Sequence, residues 1–135
     1  MLPLNETQLC TLTSAIDRIV PADSYPSASE LGCVEFLLRL IQLEHLEEAY
    51  RFGLDGLDIE ARKLGHPFEA LSSAQQDELL TRCQTTRHSE SWDISPREFV
   101  DLLARQTIEG YYSDPGNGGN RGEVAWRMVG FEVRG

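Results

Sequence analysis

Three histidines, three cysteines and one acidic cluster are the residues of this 135-residue chain with the means to do chemistry near neutral pH. His45, His66 and His88 fall in three different segments, with neither an H-x-x-x-H nor an H-E-x-x-H among them. A zinc hydrolase needs two such ligands on one helix face and a third nearby, so that chemistry is unsupported. Glu44, Glu47 and Glu48 surround His45, but a di-iron centre in a helical bundle takes a Glu-x-x-His pair from each of two helices. No second motif completes it, and a charge run of this kind reads as a solvated helix face. Cys10, Cys33 and Cys83 are widely spaced, odd in number and form no C-x-x-C. Small buried hydrophobes are the ordinary fate of such cysteines; a disulfide within the chain or to a partner is the other reading. Cys83 and His88 are near in sequence, but Cys83 lies in a core-facing register, and a Cys–His pair needs geometry rather than proximity along the chain. There is no G-x-S-x-G nucleophile elbow. No catalytic constellation is complete.

The other conspicuous stretch is the tail. Tyr111-Tyr112-Ser113-Asp114-Pro115-Gly116-Asn117-Gly118-Gly119-Asn120-Arg121-Gly122 is a glycine-rich loop opened by two aromatics, followed by a short amphipathic piece with Val124, Trp126, Met128, Val129 and Phe131. Phosphate-binding glycine loops join a strand to a helix, whereas a helix precedes this one, and the nucleotide-binding patterns are missing. Two readings stay open. One is a compact turn with several residues at positive φ, which glycine and asparagine tolerate best. The other is a loop shaped for insertion into another protein surface, with Tyr111, Tyr112 and Trp126 as interface aromatics.

The elements that would carry these residues are helical. Leu9, Leu12, Ile16 and Ile19 share one face of a helix over about residues 6–20, capped by Asn5 or Thr7 and stopped by Pro21. A second helix is expected from about Ser29 to Leu43, burying Val34, Leu37, Leu38 and Ile41. A third runs through Tyr50, Leu54, Leu57 and Ala61 to Leu64, with Gly65 as its stop; the two are separate or form one bent helix. Ser73-x-x-Gln76 has capping-box spacing and opens a fourth helix to about residue 86, with Leu79, Leu80 and Cys83 inward. Residues 85–93 read as a polar loop. Ser95-Pro96-x-Glu98 starts a fifth helix, with Phe99, Leu102, Leu103 and Ile108, ending near Gly110. With no internal repeat and no period-2 run long enough for a sheet, the chain reads as one all-α domain, residues 1–135, of about five helices plus a short terminal helix.

Composition agrees and excludes some partners. The share of hydrophobic residues, 41%, and of charged residues, 25%, is that of a globular domain rather than a disordered chain. Twelve basic residues scattered among 22 acidic ones, net −10, suit neither nucleic acid nor an anionic membrane surface. No apolar run approaches the roughly 18–20 residues of a membrane span. Met1 to Glu6 shows no basic or apolar leader region, which gives a cytoplasmic expectation for the chain as written.

Four segments in order resemble the gluconate 2-dehydrogenase subunit 3 family. They are Ile16-Asp17-Arg18-Ile19-Val20-Pro21-Ala22-Asp23; Ala28 through Gly32-Cys33-Val34-Glu35-Phe36-Leu37; Gly53-Leu54-Asp55-Gly56-Leu57-Asp58-x-x-Ala61 with Phe68-x-x-Leu71 and Gln75-Gln76; and Gly110-Tyr111-Tyr112-Ser113-Asp114-Pro115 with Gly118-Gly119-Asn120 and Trp126-x-x-x-Gly130-Phe131. The last series is the most specific. The resemblance implies a small accessory subunit that holds no flavin itself. Its implied partner is a large FAD-containing dehydrogenase subunit of the glucose–methanol–choline type, acting on a sugar or sugar acid, often with a cytochrome c subunit to take the electrons onward. A transient folding or export chaperone for that flavoprotein and a stand-alone helical binding module are the alternatives. Tyr111, Tyr112, Asp114, Pro115, Gly118, Gly119, Asn120 and Trp126 are the expected partner-binding residues. Family members often begin with a twin-arginine export signal, so a periplasmic location is expected if such a leader has been removed.

Overall fold

Asn5 opens the first helix. Its side chain accepts the Gln8 N–H at 2.8 Å while the Gln8 side chain accepts the Asn5 N–H at 2.9 Å, a reciprocal cap that leaves Thr7 inside the helix. A computed structural model describes residues 2–113, and among them the protein is all-α, with no strand. Helix α1 (Glu6–Ile19) buries Leu12 and Ile16 completely, with Leu9 and Ile19 packed half-buried beside them. The tail helix expected after the glycine-rich loop lies outside the described residues.

Helix α2 (Cys33–Leu43) starts later than Ser29, which corrects the expected boundary. Asp17 on α1 accepts both the backbone N–H of Ser29, at 2.8 Å, and its hydroxyl, at 2.6 Å. Residues 29–32 are drawn into a turn, and Gly32 leaves it at φ +93°, which costs glycine little and any other residue much. The second and third helices are separate rather than one bent rod. His45 sits at φ +56°, and the Leu46 N–H returns to the Ile41 carbonyl at 2.9 Å, a Schellman closure that ends α2. Helix α3 (Glu47–Arg62) follows, with Gly65 at φ +103° beyond its end as expected.

After a 3-10 turn at Phe68–Ala70, α4 (Ser73–Cys83) begins one residue away from the expected cap: Ser72, with Gln75, forms the reciprocal box. Gln76 is buried instead, its amide donating to the Phe68 carbonyl at 2.8 Å. The Ser-Ser and Gln-Gln doublets offer both registers, and burial of Gln76 decides between them. Helix α5 (Pro96–Tyr111) has Ser95 as its cap and Pro96 at its first turn; the return bond from Glu98 is not made.

Helices α1, α3 and α5 enclose the core, with α2 against α5 and α4 against α1 and α5. Two glycines let α3 and its neighbours approach. A Cβ on Gly53 would sit 2.2 Å from the Phe99 ring, and one on Gly56 would sit 2.3 Å from the Trp92 indole. Trp92, placed by sequence in a polar loop, is a core residue, 7% exposed and ring-to-ring with Phe99 at 6.4 Å.

Candidate functional site

The end of α5 meets the loop between α1 and α2. This is where the two described residues of the expected partner surface, Tyr111 and Tyr112, are found. Tyr111 is 1% exposed, and its hydroxyl donates to the Pro26 carbonyl at 2.8 Å, across 85 positions of sequence. Burial raises its pKa, with Tyr112 and Asp23 adding to the shift. Tyr112 follows α5 as its C-cap, 40% exposed, with its ring edge-on to Tyr111 at 5.4 Å. Of the two, then, Tyr111 faces the fold and Tyr112 is reached by solvent. Asp114, Pro115, Gly118, Gly119, Asn120 and Trp126 lie outside the described residues.

Several local features fix this corner. Gly110 lies against Phe36, where a Cβ would come to 2.5 Å from the ring, so α5 and α2 are in close contact at the point where α5 ends. The buried Cys33 thiol donates to the Thr107 carbonyl at 3.8 Å. On the loop side, the Ala28 N–H reaches the Val20 carbonyl at 3.0 Å, and Asp17 holds Ser29. Asp23 and Tyr25 bond each other twice, N–H to carbonyl at 3.0 Å and N–H to carboxylate at 2.9 Å. These bonds tie the loop to the helices at its C-terminal side while Pro21 to Tyr25 remain exposed. In sequence, Pro21 stops one helix and the next is expected near Ser29, and nothing local to that interval shows its connection to Tyr111. The aromatic Tyr25 among small polar residues was the available signal.

The residues with chemical potential are dispersed. His45, His66 and His88 are all exposed, on separate segments. Among the described residues no three His, Cys, Asp or Glu side chains converge as a metal site would require. All three cysteines are free. Burial pushes the Cys33 thiol up to about 12 and Cys83 up to about 11, so both stay protonated and unreactive at neutral pH. Cys83 faces the core and His88 faces solvent. Cys10 is half-buried, and a hydrogen bond to Glu69 raises its pKa above the ordinary thiol value. Glu44, His45 and Glu48 are exposed, with Glu47 and Glu48 in the first turn of α3, where the helix dipole favours negative charge.

The carboxylates of the recurring Gly-Leu-Asp-Gly-Leu-Asp stretch are engaged in holding the fold. Asp55 accepts from the Gln8 amide at 3.0 Å, joining α3 to α1. Asp58 accepts the Phe68 N–H at 3.1 Å with one oxygen and pairs with Arg62 at 2.7 Å through the other. A cleft of about 360 Å³ lies among Arg18, Ile19, Asp77, Leu80 and Val100, but its two charges are bonded to each other at 2.7 and 2.9 Å. What the described surface offers is shape, exposed aromatics and charge.

Comparison with known proteins gives one family. A family model described as gluconate 2-dehydrogenase subunit 3 matches residues 6–133. No curated protein and no solved structure matches the chain.

Proposed function

The chain belongs to the gluconate 2-dehydrogenase subunit 3 family, and from that premise we propose that it is a non-catalytic small subunit that binds and stabilises an FAD-containing catalytic subunit. The partner is a sugar or sugar-acid dehydrogenase of the glucose–methanol–choline type, with a cytochrome c subunit as a further member of the complex. The flavin resides in the partner, and this chain holds no cofactor. The carrying observation is the match over residues 6–133 to a family described as one subunit of a dehydrogenase. The dispersal of titratable side chains over structural bonds supports a role in assembly. Tyr112 at the end of α5, followed by the Gly-Gly-Asn and Trp126 series, supports placing the contact at this end of the chain.

Aromatic hot spots lose about 2 kcal/mol or more on truncation to alanine, roughly a thirtyfold change in affinity. Trp126→Ala is therefore expected to deplete the flavoprotein recovered with a tagged chain from its native host. Unchanged recovery would remove Trp126 from the contact. Recovery of no flavoprotein by the unmutated chain would overturn the function itself.

A further inference from the structure

We infer that the partner-binding surface is composite, with Tyr25 on the α1–α2 loop and Tyr112 at the end of α5 forming one aromatic edge shaped for a basic face of the dehydrogenase subunit. This rests on the functional reading above and extends it to a segment that reading does not include. Tyr25 and Tyr112 are each 40% exposed. They flank the same buried residue: Tyr25 adjoins Pro26, whose carbonyl takes the Tyr111 hydroxyl, and the Tyr111 ring touches Tyr112 edge-on. Tyr111 thus joins two aromatics that lie far apart in sequence.

The loop that carries Tyr25 is tied down by its own hydrogen bonds. The paired bonds between Asp23 and Tyr25, the Ala28–Val20 bond and the Asp17–Ser29 clamp fix the loop in the free chain. None of them buries the Tyr25 ring. An aromatic held outward on an ordered loop contributes little to the core, but it lowers the ordering cost of binding. Tyrosine is also among the residues enriched at interface hot spots. Charge selects the partner face. Residues 21–32 contain Asp23 and Glu30 and no lysine or arginine, so the loop carries a net −2, while the tail 114–135 balances three acids with three arginines and leaves −8 to the rest of the chain. A basic protein surface complements this edge. Asp17 and Tyr111 act as positioning residues.

The test compares Tyr25→Ser, Tyr111→Phe and Tyr50→Phe in the chain bound to its copurified dehydrogenase. Tyr25→Ser is expected to weaken the complex by about tenfold without changing helix content, as loss of an interface aromatic does. Tyr111→Phe removes the hydroxyl that holds Pro26 and is expected to weaken the complex about threefold or more. Tyr50→Phe removes a hydroxyl bonded to Gln106 on α5; it is expected to lower thermal stability but leave affinity unchanged. Raising salt should weaken the wild-type complex more than the Asp23→Asn, Glu30→Gln double variant. Wild-type affinity in Tyr25→Ser would overturn the composite surface while leaving the subunit function intact. Equal weakening by Tyr111→Phe and Tyr50→Phe would reduce Tyr111 to a stability role. Failure of the unmutated chain to hold any dehydrogenase would overturn both readings.

Discussion

His45 occupies a backbone position that suits glycine. At φ +56° after α2 it bears the left-handed conformation that a Cβ disfavours, yet its side chain is exposed. His45→Gly should therefore raise stability by about 0.5–1 kcal/mol, read as a higher melting temperature; a lower one would show that the side chain contributes something the backbone argument omits. The glycines of α3 predict the opposite sign. Gly56→Ala places a methyl 2.3 Å from the Trp92 ring, and overpacking of this kind costs about 1–3 kcal/mol. Denaturant unfolding would measure it. The sequence shows that Gly53 and Gly56 recur three apart beside Leu54 and Leu57, but not why. The reason is the pair of rings they face, and Trp92 was hidden because its neighbours Ser89, Glu90, Ser91 and Asp93 are all polar. A single buried aromatic in a polar run has no periodicity to reveal it.

Among the elements, local sequence determines a start well where one residue can cap it, as at Ser95, and less well where two candidates stand close together, as Asn5 and Thr7 do, or where residues repeat. The Ser72-Ser73 doublet tests this directly. Ser72→Ala should cost about 1 kcal/mol, as loss of an N-cap does, and Ser73→Ala close to nothing; equal costs would mean that the cap is shared. The start of α2 could not be read locally, because the residue that displaces it, Asp17, is on another helix. The Arg18–Asp77 pair, which joins α1 to α4, gives a pH signature. The Arg18 hydrogen bond holds the Asp77 carboxyl below its usual range, partly opposed by burial. A carboxylate with a lower pKa folded than unfolded adds stability that is present above the unfolded value and lost as pH falls through the folded one. Asp77→Asn should consequently flatten the loss of stability below about pH 4. At neutral pH it should cost under about 1 kcal/mol, since Asp77 is half exposed and solvent screens the pair. Identical acid profiles for the two proteins would mean that the pair forms no tighter in the folded state than solvent allows.

At the scale of the whole molecule, the all-α class and a single core were legible from the 3.6-residue periodicity of Leu12, Ile16, Leu37, Ile41, Leu54 and Leu57, all of which are buried. The functional corner was only partly legible. Tyr111 and Tyr112 stand out as a pair in sequence, but a pair of adjacent tyrosines cannot show which ring is buried, and Tyr25 joins them only through a bond spanning 85 positions. The chain belongs to a family described as a subunit of a dehydrogenase, and a lasting subunit stays with the active enzyme. The most direct measurement is the ratio of this chain to flavin, followed through purification of the dehydrogenase from its native host to constant specific activity. For a lasting subunit the ratio reaches a fixed value and stays there, and activity is lost when the chain is stripped away. If the chain disappears while flavin and activity persist, the protein is a maturation factor and not a subunit.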